Sequence, residues 1–148
     1  ATETQMKEAL REVNLLDFVE KSGGLDFVLL EKASNLSGGQ KQRLSLARAL
    51  LHDTPIYIFD EATSNVDVES ENDIMAVVRK LAKTKTVLLI SHRLANVVSA
   101  DQIYVLKDGM IVEKGQHEAL CKEDGYYYRL FRQQSALEQF GKGAVANE

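Results

Sequence analysis

The sequence is poor in cysteine, proline and long apolar runs, and it contains no tryptophan. Its single cysteine, Cys121, excludes an internal disulfide and indicates a reducing compartment. No segment approaches the roughly 20 apolar residues that a membrane-spanning helix needs, and the polar start is unlike a secretory signal peptide. The formal net charge of -4 argues against a nucleic-acid partner, which usually requires a basic surface. With 45% hydrophobic and 27% charged residues in 148 positions, the composition is typical of one globular domain or of part of a larger one.

Residues 35–48, which read N-L-S-G-G-Q-K-Q-R-L-S-L-A-R, predict the start of a helix. Ser37 and Gln40 have the S-x-x-Q spacing of a capping box, in which each side chain pairs with the other residue's backbone N–H. Gly38 and Gly39 leave the first turn bare, and the positive end of the helix dipole favours an anion, phosphate above all. An ordinary capped helix after a flexible turn explains the same residues equally well.

Two apolar runs predict strands of a parallel sheet. The first run, residues 56–59, is followed directly by Asp60 and Glu61. The second run, residues 86–90, is followed closely by His92. An amphipathic helical segment separates the two runs, so the pattern is strand, crossover helix, strand. Strands of this kind are usually buried on both faces, and their ligands bind beyond their carboxyl ends. The two acids and the histidine are therefore candidate site residues.

Each of these polar residues has a functional and a structural interpretation. Asp60 can hold Mg²⁺ against the phosphates of a nucleotide, while Glu61, which points elsewhere, can polarise a water molecule for attack on a phosphate. His92 can donate to a phosphoryl oxygen. The structural alternatives are two solvated acids and a strand-end histidine. Asp67 is predicted to cap the next helix.

The remaining elements are predicted from hydrophobic spacing and turn residues. Residues 4–20 are expected to be helical, with Phe18 and Val19 on a second short helical piece, and residues 25–30 fit either a strand or a packed loop. Lys41, Arg43 and Arg48 are expected to form a solvated face of the helix that runs to about residue 52, with an ion pair to an acid as the alternative for Arg48. Further helices are predicted at 68–83, 93–99, 116–122 and 126–140, and a hairpin is predicted around Asp108 and Gly109.

Four motifs occur in the order and approximate spacing of an ATP-binding cassette (ABC) ATPase. They are L-S-G-G-Q at 36–40, I-Y-I-F-D-E at 56–61, S-N-V-D at 64–67 and S-H at 91–92. They resemble the signature motif, the Walker B strand with its catalytic Glu, the D-loop and the H-loop of that family. The resemblance covers about residues 1–140, and D-E-A-T-S after the strand resembles the exporter type.

The resemblance implies an α/β fold: a partial P-loop NTPase-type sheet with crossover helices, a helical signature subdomain, and a C-terminal β-hairpin and helices. Residues 1–40 would form the helical subdomain, and residues 41–148 would form the C-terminal half of the ATP-binding core with its terminal helices. The sequence contains no G-x-x-x-x-G-K-[ST], so the Walker A loop is missing. Residues 30–33 also depart from the G-E-x-G of exporters. We therefore expect the C-terminal portion of a cassette, inactive on its own.

The family resemblance also implies a dimeric mechanism, in which two cassettes close head to tail around two ATP molecules with Mg²⁺. Ser37, Gly38, Gly39 and Gln40 would bind the nucleotide that the partner cassette holds. Glu61 would be the general base, Asp60 a Mg²⁺-site residue, His92 a γ-phosphate contact and Asp67 a link across the dimer interface. The implied partners are a second nucleotide-binding domain, identical or not, and a transmembrane domain, which places the cassette at the cytoplasmic face of the cell membrane.

Two other functions are alternatives to this one. A DNA-organising or repair ATPase of the same superfamily would carry a long coiled coil before the signature, but the segment before Leu36 is short and the chain is acidic. A non-hydrolysing half would bind nucleotide only to dimerise. The presence of both Glu61 and His92 gives that alternative no support.

Overall fold

A computed structural model describes residues 1–64 and 66–145, with the side chains up to residue 138. The chain divides into two compact units, Ala1–Ile90 and the part that begins at Ser91. The first unit contains helices α1 (Glu3–Glu12), α2 (Leu16–Lys21), α3 (Gly38–His52) and α4 (Val68–Leu81), and strands β1 (Ile56–Asp60) and β2 (Thr86–Ile90). The second contains strands β3 (Ile103–Lys107) and β4 (Met110–Gly115), and helices α5 (His117–Lys122) and α6 (Tyr126–Val145).

The N-terminal helical segment is divided in two, and the second short helix expected around Phe18 and Val19 is α2. Thr2 caps α1 through a capping box with Gln5, and Asn14, with a φ of +54°, interrupts the helical backbone before α2. Asparagine tolerates this left-handed conformation better than most residues do. Residues 25–30 form no strand: a short 3₁₀ turn, Gly24–Asp26, leads into an irregular loop.

The sheet of the first unit is a parallel pair joined by α4, as the strand–helix–strand pattern predicts. Strands β1 and β2 pair from Ile56 beside Thr86 to Asp60 beside Ile90. One face of the pair is covered by helices and contributes to the core of the unit. That core combines Tyr57 and Phe59 with Leu46 and Ala47 of α3, Ile74, Met75 and Val78 of α4, and Leu10, Val13 and Leu16 near the N-terminus.

The other face of β1 and β2 is exposed, so the expectation of burial on both faces is wrong for this chain. Ile56 and Ile58 keep 57% and 66% of their surface accessible, and Leu88 and Ile90 keep 50% and 47%. Within the first unit, no element among residues 1–64 and 66–90 covers this face, although its side chains are as apolar as those of a buried parallel strand.

The second unit packs an antiparallel hairpin against two helices. Strands β3 and β4 meet at the predicted turn, where Asp108 and Gly109 both have positive φ angles, +51° and +77°. Both C-terminal helices are confirmed, whereas the helix predicted at 93–99 is only a 3₁₀ turn, Leu94–Asn96. The core of the unit consists of Ile103, Val105, Leu120 and Tyr127.

Within the part of the chain that the structure describes, no helix has the length and apolarity needed to cross a membrane. The boundary near residue 40 between the helical subdomain and the ATP-binding core stays a prediction.

Candidate nucleotide site

The N-terminal end of α3 has the geometry that its sequence predicts. The Ser37 N–H donates to Gln40 Oε1 at 2.8 Å, and the Gln40 N–H donates to Ser37 Oγ at 3.2 Å, which completes the capping box. Ser37 and Gly38 are exposed, while Gln40 is half-buried. The exposed tip of the helix therefore consists of a hydroxyl and a bare glycine at the positive end of the helix dipole.

Gly39 differs from its neighbour because it is buried against the start of α4. A Cβ at this position would lie 2.1 Å from Ser70 Oγ, 2.6 Å from Ser70 Cβ and 3.2 Å from Asp67 Oδ2. The glycine thus permits the close approach of two helices. Its predicted contact with a phosphate stays a prediction, and Ser37 and Gly38 are the accessible part of the motif.

The acid pair stands at the carboxyl end of β1, as predicted. Asp60 is the last residue of the strand, and both acids are exposed. Glu61 has a φ of +48°, which a residue with a side chain rarely adopts and which costs about 1 kcal/mol or more. Its N–H donates to the Ile90 carbonyl at 3.0 Å, and its carbonyl accepts from the Ser64 N–H at 2.9 Å. The turn from Glu61 to Ser64 is therefore anchored at both ends.

Asp67 caps α4, which is the structural role that its sequence position predicts. Its carboxylate accepts from the Ser70 N–H at 2.8 Å and from Ser70 Oγ at 2.9 Å. These hydrogen bonds, the backbone one first, lower the pKa of the Asp67 carboxyl below its ordinary value of 3.8. The residue remains exposed, and its predicted role in a dimer interface stays a prediction.

His92 belongs to the second unit, where it follows β2 by two residues. Its backbone carbonyl accepts a hydrogen bond from the side-chain amide of Gln134 in α6, which fixes the main chain at this point within that unit.

The residues at the end of β1 fit a magnesium site in which a bound nucleotide would supply the remaining ligands. Asp60 offers a hard carboxylate oxygen at an exposed strand end, the kind of ligand that Mg²⁺ prefers. Among residues 1–64 and 66–145, no three His, Cys, Asp or Glu side chains lie close enough to hold a metal ion without other ligands. Mg²⁺ commonly takes one or two carboxylates together with substrate phosphates, and Asp60 can supply one such carboxylate.

Sequence reasoning missed two residues of α3 that connect it to its surroundings. Gln42 Nε2 donates to the Ser64 carbonyl at 2.9 Å. Arg43 Nη1 lies 3.1 Å from Asp73 Oδ2 and donates to the Asn14 carbonyl at 2.9 Å, so the expected solvated face is wrong for this residue. Gln42 and Arg43 follow Gly39 by three and four positions and so lie on the same face of the helix, but only the structure shows that Gly39 is buried.

Comparisons with known proteins agree with this geometry. Residues 1–64 match the family model described as ABC transporter. The chain is 52% identical, over 146 residues, to an uncharacterized ABC transporter ATP-binding protein of Haemophilus influenzae, covering 99% of this chain and 26% of that protein. The chain belongs to the ABC transporter ATP-binding proteins.

Two further ABC transporters define the type. An ATP-dependent lipid A-core flippase of Vibrio cholerae is 47% identical over 132 residues, which cover 88% of this chain and 23% of the flippase. The structure of a bacterial Atm1-family ABC exporter with ATP bound superimposes with a TM-score of 0.85 at 35% identity, over 91% of this chain and 24% of the exporter. The α/β fold is confirmed, and the chain is part of the nucleotide-binding domain of an exporter-type ABC protein. It spans about a quarter of the length of these relatives.

Proposed function

We propose that this chain supplies the signature, Walker B, D-loop and H-loop portions of an ATP-hydrolysing domain within a longer exporter. One observation carries the proposal: a single compact unit presents both a capped, exposed helix tip at Ser37 and Gly38 and an exposed acid pair at the end of a parallel strand. The first feature suits the binding of a phosphate, and the second suits its hydrolysis.

In the proposed mechanism, Glu61 accepts a proton from the water that attacks the γ-phosphate of ATP. Its exposed carboxylate and its anchored turn support this role, because a general base must be held within hydrogen-bonding reach of the water. Asp60 would hold Mg²⁺, which neutralises phosphate charge when it is bound. His92 would donate a hydrogen bond to the γ-phosphate, while Ser37 and Gly38, with Gln40 closing the capping box, would bind nucleotide held by a second cassette.

The exposed apolar face of the sheet supports the proposal that the active domain is larger than this chain. Ile56, Ile58, Leu88 and Ile90 form a patch that parallel strands normally bury. We therefore expect the 148-residue chain alone to show little ATPase activity. It also lacks a Walker A sequence, whose backbone N–H groups and lysine would hold the phosphates.

The proposed assembly contains two nucleotide-binding domains and a transmembrane domain, located at the cytoplasmic face of the membrane. The family assignment supports this assembly. ATP would close the two domains, and hydrolysis would release them, so that the free energy of nucleotide binding shifts the transporter between its conformations.

ATPase measurements on the full-length protein test the proposal, with Glu61→Gln as the decisive variant and Glu69→Gln as its matched control. We expect Glu61→Gln to lower turnover about 100-fold or more, the usual effect of removing a general base, and to retain ATP in a closed dimer. Glu69, an exposed acid in the first turn of α4, should be replaceable without loss. Unchanged turnover in Glu61→Gln would remove this residue from its role. Tight, salt-sensitive DNA binding would favour the DNA-acting alternative instead.

A further inference from the structure

Gln42 joins the signature helix to the turn that carries Glu61. The side-chain amide of Gln42 donates to the Ser64 carbonyl at 2.9 Å, and the Ser64 N–H donates to the Glu61 carbonyl at 2.9 Å. Two hydrogen bonds therefore lead from α3 to the backbone of the acid. Ser64 takes part only through its backbone carbonyl and N–H. The amide of Gln42 is therefore the one side chain in this connection.

The surroundings of Gln42 hold α3 close to this turn. Gly39, one helical turn earlier, packs directly on Ser70. Arg43, the next residue, pairs with Asp73 farther along α4 at 3.1 Å. These contacts fix α3 against α4 on either side of the Gln42 amide, so a displacement of the signature helix is passed to the turn between β1 and α4.

The other half of the Gln42 amide indicates that packing stability is not its only purpose. Its Oε1 is buried and accepts no hydrogen bond from the residues that the structure describes. A buried acceptor without a donor costs free energy, and an apolar side chain of the same length would avoid that cost. What an apolar side chain could not do is donate to the Ser64 carbonyl.

We propose that Gln42 is a positioning residue that couples the signature helix tip to Glu61 within one chain. The inference rests on the proposed function, in which the tip contacts one nucleotide and Glu61 acts on another. Gln42 then links the two nucleotide sites of the dimer: engagement of Ser37 and Gly38 by the partner's nucleotide sets the position of Glu61. A hydrogen-bonded chain between packed elements is a physical basis for such coupling.

The test compares three variants of the full-length protein: Gln42→Met, which keeps the length but removes the donor; Gln42→Lys, which restores a donor; and Arg48→Met, the same replacement at an exposed position of α3. We expect Gln42→Met to lower kcat about tenfold while the KM for ATP changes less than twofold, because the residue positions Glu61 and does not bind nucleotide. Gln42→Lys should recover most of the turnover, and Arg48→Met should match the wild type.

Three outcomes decide the inference separately from the proposed function. Wild-type turnover in Gln42→Met would overturn the coupling role while leaving the ATPase assignment intact. A folded Gln42→Lys protein that is as slow as Gln42→Met would also overturn it, since a restored donor must then be irrelevant. Absence of ATP hydrolysis in both the wild type and Arg48→Met would instead refute the proposed function on which the inference rests.

Discussion

Gly39 and Ser70 approach so closely that a methyl group on Gly39 would stand 2.1 Å from the Ser70 hydroxyl oxygen. A glycine of the signature motif thus has a packing role that is separate from any contact with a nucleotide. Its neighbour Gly38 is exposed.

Gly39→Ala should therefore destabilise the nucleotide-binding domain, whereas Gly38→Ala should not. Insertion of a methyl group into a tightly packed contact typically costs about 1–3 kcal/mol, because Ser70 and the start of α4 must shift. Thermal or denaturant unfolding of the two variants measures the difference. Equal unfolding midpoints would mean that the two helices are not in close contact.

Ala33→Gly is expected to stabilise the loop before the signature. Ala33 has a φ of +51°, a left-handed conformation that costs a residue with a Cβ about 1–2 kcal/mol but is open to glycine. Part of this gain is lost through the greater freedom of glycine in the unfolded chain, so a net increase of about 0.5–1 kcal/mol is expected.

Ala82→Gly is the matched control for this effect. Ala82 follows α4 with an ordinary φ of -60°, so the same replacement there should reduce stability. Opposite signs for the two variants in unfolding experiments are the expected result. If both replacements were destabilising, the loop backbone at Ala33 would not be left-handed in the protein.

We expect the second unit to lose stability at alkaline pH because Tyr127 is deprotonated there. Its hydroxyl lies 2.8 Å from His117 Nδ1, and its side chain is almost fully buried. Burial raises the pKa of Tyr127 from 10.0 to about 12. The folded state holds the phenol proton more tightly than the unfolded state does, so this contribution is complete below pH 10 and is lost as the pH rises toward 12.

Tyr127→Phe should remove that pH dependence and, at neutral pH, cost about 1 kcal/mol for the lost hydrogen bond. Tyr104→Phe, at a position that is 55% exposed, serves as the control and should leave the alkaline unfolding curve unchanged. The measurement is the unfolding midpoint between pH 9 and pH 12, a range set by the ordinary and raised pKa values. A Tyr127→Phe protein with the wild-type pH profile would contradict the assignment.

Local interactions explain which features could be predicted from the sequence. The start of α3 was predictable because the capping box of Ser37 and Gln40 depends on residues three positions apart. The parallel strands were predictable because each is a contiguous apolar run, and the cap of α4 because Asp67 is adjacent to it in sequence.

Features that depend on the environment of an element could not be predicted in the same way. The apolar runs at β1 and β2 indicate burial on both faces, but within residues 1–64 and 66–90 of the first unit only one face has a neighbour. The Gln42 hydrogen bond joins residues 22 positions apart, and its partner is a backbone carbonyl that carries no sequence signal. Only the structure gave this partner of Gln42.

The central claim is that the signature tip and the acid pair of one chain serve different nucleotides. Mixed dimers of the full-length protein test it directly, with Gly38→Asp disabling the tip by repelling phosphate and Glu61→Gln disabling the acid. If the claim holds, a dimer with Gly38→Asp in one copy and Glu61→Gln in the other has both defects at the same nucleotide. Its second nucleotide site is intact. A dimer with both variants in one copy and none in the other has a defect at each site.

The decisive measurement is therefore the ATPase rate of these two mixed dimers, purified through a different tag on each copy. We predict that the dimer with its variants in separate copies is clearly the more active, at up to about half of the wild-type rate when the sites turn over independently. If the dimer with both variants in one copy were the more active, the tip and the acid pair would act on the same nucleotide, and the account would be contradicted.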